Sequence, residues 1–258
     1  MPVAVVAGAS RGVGRGIAIG LLEAGYTVYG TGRSIAEAAL PATIVRLPTD
    51  HLDDMQTAAA FSRVADAGAG LDILVNAAWG GYAQMVENGA FTWGRPFWEQ
   101  PMHRWASMID GGVRAAFVAS VHAARLMIPA RRGLIVNVSS WPAQKYVGNT
   151  IYGISKSATD KLTADTAHEL GAHGVTVVSL YPGLVRTELV MAAAAYGAFD
   201  LSNSESPEFS GRVVAGLAAH PDLSTFSGRV VVGAEFAQAN GISDVDGKRP
   251  TPLTLQTA

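Results

Sequence analysis

"MPVAVVAGASRGVGRG", residues 1–16, opens as an unbroken apolar run and breaks at Gly8 into a glycine-rich loop. A short valine-rich run without polar alternation reads as a strand buried on both faces, expected over 2–7. Gly8, Gly12 and Gly14 follow as G-x-x-x-G-x-G and lead into an apolar helical pattern over 12–24. Glycines there permit a tight turn, let backbone N–H groups approach a pyrophosphate, and allow the helix to lie close to the sheet. With Ser10, Arg11 and Val13 between and beside them, they form a candidate dinucleotide loop.

Outward from that unit the same alternation continues. Further strands are expected at 26–31, 43–47, 71–76, 133–138, 175–180 and 228–233, with helical patterns at 53–67, 103–128, 151–171 and 208–219. Apolar runs joined by helices imply an α/β Rossmann fold, a doubly wound seven-stranded parallel sheet with helices on both faces. No repeat or low-complexity linker divides residues 1–258, so one dinucleotide-binding domain is expected. Ligands of such sheets bind beyond the carboxyl ends of the strands, and functional residues are sought there.

Composition narrows the class. The chain has 49% hydrophobic and 16% charged residues and a net charge of −2, which provides no field for nucleic acid or an anionic membrane surface. The absence of cysteine excludes disulfides and thiolate chemistry and suits a reducing cytoplasm, the expected location. The first apolar run is too short to span a membrane and lacks the basic lead-in of a signal peptide. Histidines at 51, 103, 122, 168, 173 and 220 show no metal-binding spacing, so no metal is expected.

The end of the second strand bears on the cofactor. An acidic residue there would bind the ribose 2′-hydroxyl of NAD, whereas arginine suits a 2′-phosphate. The segment "VYGTGRS" has Gly32 followed by Arg33, and Arg11 in the glycine loop is a second cation for the same phosphate. NADP(H) is the expected cofactor.

After the fifth strand comes "NVSS", and twelve residues beyond Ser140 comes "YGISK". Tyr152 and Lys156, at i and i+4, share one helix face. A phenol ionises near pH 10, and a neighbouring ammonium lowers that value by stabilising phenolate. Jointly, Gly8, Gly12 and Gly14, Asp50, "NAA" at 76–78, Ser140, Tyr152 with Lys156, and "YPGLVRTEL" at 181–189 resemble the short-chain dehydrogenase/reductase family from the first strand to about residue 188.

The resemblance implies that Tyr152 exchanges a proton with a carbonyl or alcohol oxygen, Ser140 hydrogen-bonds that oxygen, and Lys156 lowers the Tyr152 pKa and binds the nicotinamide ribose. Ser139 is the competing serine. It also implies that Asp50 contacts adenine, Asn76 supports the middle of the cofactor, and Val185 and Thr187, with Pro182 and Gly183 before them, border the nicotinamide. A homo-oligomer, dimer or tetramer, is implied through the helices at 103–128 and 151–171.

Two departures stand out. Residues 79–104 are longer than the family usually has and carry Trp79, Tyr82, Phe91, Trp93, Phe97 and Trp98. They are read either as a pocket wall or lid, or as an insertion with its own small core. In "MIDGGVRAAF", 108–117, Gly112 falls on the expected apolar stripe of Trp105, Met108, Ile109, Val113, Ala116, Phe117, Ser120, Val121 and Ala124. Most of the family has asparagine there, its backbone carbonyl holding a proton-relay water; Gly112 is expected to keep a kinked backbone with a free carbonyl.

This glycine, with "FWE" (97–99), "ARLM" (124–127), "AHEL" (167–170) and "DVDG" (244–247), resembles the subgroup typified by dehydrogenase/reductase SDR family member 1, which implies bulky apolar carbonyl substrates. Reduction by NADPH is the leading expectation. Oxidation of an alcohol and a catalytically silent dinucleotide sensor are the alternatives. The tail, about 234–258, departs from the common family ending and is read as a candidate subunit contact.

Overall fold

The computed structural model describes residues 1–81, 85–87, 90–197 and 199–258. Its main sheet has seven parallel strands: β1 (Val3–Ala7), β2 (Thr27–Gly32), β3 (Val45–Pro48), β4 (Ile73–Asn76), β5 (Gly133–Val138), β6 (Val175–Tyr181) and β7 (Val230–Val232). Their order across the sheet is β7-β6-β5-β4-β1-β2-β3, reversing direction at β1 and β4 as in a Rossmann fold. All seven expected strands are present, with β3, β4 and β7 each starting two residues later than expected.

The residues of β1 divide by parity. Ala4 and Val6 pack with Ile17, Leu21, Phe209 and Val213 on one face. Val3 and Val5 pack with Phe61, Val64, Ala119 and Met127 on the other. Period-two alternation thus feeds two apolar layers, which is why the run needed no polar positions.

The helices are α1 (Gly12–Glu23), α2 (Asp54–Asp66), α3 (His103–Ala130), α4 (Thr150–Gly171), α5 (Glu188–Ala194), α6 (Pro207–Ala218) and α7 (Gly233–Ala239). α5 and α7, seven residues each, were not expected, because so short a segment shows barely two turns of periodicity. α1 packs on α6 at backbone distance: a Cβ on Gly16 would lie 2.1 Å from the Pro207 carbonyl carbon, and one on Gly20 would lie 2.8 Å from the Gly211 Cα.

α3 is not a uniform α-helix. Ala106–Arg114 is a π-helical stretch, flanked by α-helical turns at His103–Trp105 and Ala115–Ala130. The wider turn shifts which side chains face inward. Met108, Gly112, Ala116 and Ser120 are buried as expected, but Trp105 and Phe117 are 44% and 51% exposed, correcting the regular stripe. α3 is long and apolar enough to cross a membrane, and one face of it, with Ala115, Ala119, Ala123 and Met127, is buried in the protein.

The tail folds back on its own chain. Asp244 is buried and receives the Ser206 N–H at 2.8 Å, the Ser206 hydroxyl, and Arg186 at 3.2 Å. Arg212 reaches the Ser243 and Asp244 carbonyls at 3.1 Å each. This side of the tail therefore braces the segment after β6.

Candidate functional site

Parallel register brings the carboxyl ends of the central strands to one level: Ala7 pairs with Thr31 and Asn76, and Asn76 with Asn137. The candidate residues gather along this edge in two groups.

The first group surrounds the glycine loop. Gly8 has φ +87° and Gly12 φ +57°, conformations open to glycine. A Cβ on Gly14 would lie 2.2 Å from the Gly8 carbonyl oxygen, so the turn closes only around a bare backbone. The Gly12 N–H donates to Glu188 Oε2 at 3.0 Å, and Arg15 meets the other oxygen of that carboxylate at 3.0 Å. The start of α1 thus already faces an anion, here supplied by the chain itself.

The end of β2 bears on the ribose position. A Cβ on Gly32 would lie 2.4 Å from Ser10 Oγ, so the serine hydroxyl occupies the space in which an acidic side chain would begin. Ser10 Oγ is buried without a hydrogen-bond partner among the described residues. Arg11 and Arg33 are exposed beside it, and neither forms an ion pair with a described residue. An unsatisfied hydroxyl, two available guanidinium groups and a bare-backbone cradle fit a phosphorylated dinucleotide.

Val13 lies in the first turn of α1. Asp50 follows β3, and its Oδ1 accepts the Leu52 N–H at 3.1 Å, which orients the carboxylate. Asn76 ends β4 and donates to Ser120 Oγ at 3.0 Å and Asn137 Oδ1 at 2.8 Å, while its own Oδ1 has no partner among the described residues. Asn137 continues to Thr163 Oγ1 at 2.8 Å. This buried network ties β4 and β5 to α3 and α4 beneath the site.

Beyond β6, Pro182 and Gly183 lead to Val185, which is buried, and Thr187, whose hydroxyl caps α5 by accepting the Val190 N–H at 3.3 Å. A Cβ on Gly183 would lie 2.9 Å from Glu205 Oε2. Burial raises the Glu205 carboxyl to about 7, with nearby Asp244 adding to the effect. Glu188 and Glu205 received no role from sequence. Glu188 stands in "RTEL" as an acidic first-turn residue after a capping threonine, the one local signal available; Glu205 carried none.

The second group contains the chemistry. Asn149 caps α4 by accepting the Tyr152 N–H at 3.0 Å, which places Tyr152 in its first turn and Lys156 one turn later. Ser140 Oγ lies 3.0 Å from the Tyr152 hydroxyl. Ser139 turns elsewhere, donating to the Lys156 carbonyl at 3.3 Å. Lys156 is buried, donates to the Val138 carbonyl at 3.0 Å, and has its Nζ 5.9 Å from the Tyr152 ring centroid. Burial lowers its pKa to about 8, against a smaller opposing pull from Asp160.

The aromatic residues of 79–104 divide. Trp79 and Trp93 each approach Tyr152, with ring centroids 5.2 Å away. Phe91, Phe97 and Trp98 are 65%, 63% and 72% exposed, so the six aromatics do not form one pocket. Tyr82 lies outside the described residues. The split follows from buried Arg104, which donates to the Thr92 carbonyl at 2.9 Å and to the Gln100 and Thr92 side chains. Satisfying that guanidinium gathers residues 92–104 around a polar centre, and Asn149 holds the Trp93 carbonyl at 3.0 Å from the α4 side.

Gly112, where a kinked backbone was expected, lies in the π-helical stretch and not in a regular α-helix. Its carbonyl is not free, however, because the Ala115 N–H is shared between the Asp110 and Gly112 carbonyls, a bifurcation common where helix type changes.

Residues 2–196 match the family model described as short chain dehydrogenase. The chain is 41% identical over 266 residues to mouse dehydrogenase/reductase SDR family member 1, covering 95% of this chain and 84% of that protein. A short-chain type dehydrogenase/reductase from Mycobacterium marinum superposes with a TM-score of 0.73 at 26% identity, covering 90% of this chain and 93% of that one. ElxO with NADP bound superposes with a TM-score of 0.75 at 21% identity, covering 90% and 96%, a likeness of fold.

Proposed function

The chain belongs to the short-chain dehydrogenase/reductase family, and from that premise we propose that this oxidoreductase reduces a ketone or aldehyde to an alcohol with NADP(H), favouring bulky apolar carbonyl compounds. The observation that carries the reading is the 3.0 Å contact between Ser140 Oγ and the Tyr152 hydroxyl, above a buried Lys156.

When bound, NADPH supplies the hydride for the carbonyl carbon. Tyr152 donates its hydroxyl proton to the carbonyl oxygen, acting as general acid. Ser140 turns its O–H toward the same oxygen and stabilises the negative charge that develops there. Lys156, as an ammonium, stabilises the phenolate left on Tyr152. Run backwards, the same groups take a proton from an alcohol.

Gly8, Gly12, Val13 and Gly14 would hold the pyrophosphate through backbone amides, and Ser10, Arg11 and Arg33 the 2′-phosphate. Asp50 would contact adenine, with Asn76, Pro182, Gly183, Val185 and Thr187 lining the cofactor further along. Trp79 and Trp93 flank Tyr152 with apolar surface, which supports a bulky apolar substrate. The exposed Phe117 on α3 and Ile154 on α4 support association into a homo-oligomer.

Tyr152→Phe tests the reading against a panel of ketones and aldehydes, with NADPH consumption as the signal. The expected result is unchanged NADPH binding and a rate lower by roughly 10²–10⁴-fold, the range for losing a general acid. Near-normal turnover would overturn the role of Tyr152.

A further inference from the structure

Gly112 is bare because another residue occupies its side-chain space. A Cβ built there would lie 2.7 Å from Trp79 Cδ1, closer than packed carbon tolerates, and 3.3 Å from Trp79 Nε1, a tight contact. Gly111 next to it meets nothing nearer than 3.8 Å. The loop bearing Trp79 is pinned to the π-helical stretch, where the Gly80 N–H donates to the Ser107 carbonyl at 3.2 Å. From that seat the indole lies 5.2 Å from the Tyr152 ring centroid, and the Lys156 Nζ lies 5.2 Å from the indole centroid.

We propose that Trp79, seated on Gly112, is a positioning residue for the Tyr152–Lys156 pair, covering both side chains and keeping water from the Lys156 ammonium. The proposal rests on the reductase reading, since it assigns a purpose to the environment of that pair.

The groups facing Lys156 are few. Tyr152 and Asp160 share its helix, the Val138 carbonyl accepts its N–H from β5, and Tyr181 on β6 donates to Asp160. Asp160 is the carboxylate among the described residues whose field favours the charged form. Two effects of the indole oppose each other. A cation over an aromatic face is stabilised by an amount equivalent to about one pH unit, whereas full burial can lower a lysine by about 3–5. Desolvation is the larger, so removing the ring raises the Lys156 pKa. A pair covered in this way keeps an ammonium that titrates at about 8, still charged at neutral pH but held less firmly than a solvated lysine.

Competitive labelling with acetic anhydride, read at Lys156 by mass spectrometry over about pH 6–11, measures this on the ligand-free chain. Trp79→Ala is expected to raise the Lys156 titration by about one to two pH units, as water reaches the ammonium. Trp79→Phe, which keeps an aromatic cover, should remain within about half a unit. Gly112→Ala should raise it as well by pushing the indole away, but should add nothing in the Trp79→Ala background. Melting follows the same logic: Gly112→Ala lowers Tm by about 2–4 °C in the native chain and raises it when Trp79 is alanine.

A Lys156 titration unmoved by both Trp79→Ala and Gly112→Ala overturns the proposal, as does an equal effect of Gly112→Ala in the two backgrounds. Where Trp79→Ala fails to fold, Gly112→Ala and Trp79→Phe decide by themselves. None of these readouts uses turnover, so an inactive Tyr152 role and an inert Trp79 give different results.

Discussion

α1 and α3 both carry glycines on faces that should be packed, and the reasons differ. In α1, Gly14, Gly16 and Gly20 are bare because backbone approaches backbone: the Gly8 carbonyl, Pro207 and Gly211 stand where their Cβ atoms would be. In α3, Gly112 is bare because a side chain from a distant loop, Trp79, takes the space. Backbone cannot retreat without moving whole elements, whereas a side chain can change rotamer. Glycines of the first kind define a fold, and one of the second kind adapts a site within it.

The largest test of that contrast is Gly16→Ala. Its methyl would meet Pro207 backbone and side chain together at 2.1–2.3 Å, so α1 and α6 must part. A loss of about 3 kcal/mol or more is expected in urea denaturation, at the upper end of overpacking costs. A loss below about 1 kcal/mol would show that the two helices slide freely and would remove the distinction.

Lys156→Met asks whether the chemical end is held at a cost. With its folded pKa near 8 and an unfolded value near 10.4, Lys156 binds fewer protons in the native state between those values. Stability therefore rises with pH through that window. Lys156→Met should be more stable than the native chain by about 1–3 kcal/mol at pH 7, the advantage shrinking as pH rises from about 8 to 10.4. Loss of the Val138 contact works against this gain. A variant less stable at every pH would mean that the ammonium is stabilising where it sits.

Arg33→Ser tests the cofactor end without touching a glycine. Removing one charge-assisted phosphate contact should weaken NADPH relative to NADH by roughly 10–100-fold in a binding titration. An unchanged preference would leave Arg11 and Ser10 to account for any selectivity.

The smallest effect is expected at Gly111. Its Cβ space is open, so Gly111→Ala should stabilise the chain by about 0.5–1 kcal/mol through lower unfolded-state entropy. Set beside Gly112→Ala one residue on, a gain here and a loss there would place the constraint on the Trp79 contact instead of on the π-helical backbone they share.

The strand-loop-helix unit at the amino terminus was open to reading because its signals are local. Val3–Ala7, the three glycines and the helix that follows are contiguous in the chain, ending at Glu23, and the Tyr152–Lys156 spacing is likewise one helical turn. Residues 79–104 were not open in the same way. Trp93 turns toward Tyr152 while Phe97 and Trp98 face out, a choice made by the hydrogen-bonding demand of buried Arg104 and by Asn149 across the loop. The tail posed the same difficulty: "DVDG" gives no sign that Asp244 closes on Arg186, 58 residues earlier.

The sequence by itself determined the sheet, the cradle at its carboxyl edge and the helical pairing of Tyr152 with Lys156. Each depends on periodicity or on bare backbone over a short span, and side-chain competition does not alter them. Tertiary structure decided which serine faces the phenol, which aromatics surround it, and why Gly112 has no side chain. Those outcomes depend on occupancy of a shared volume by residues far apart in the chain, and only the folded packing assigns that volume.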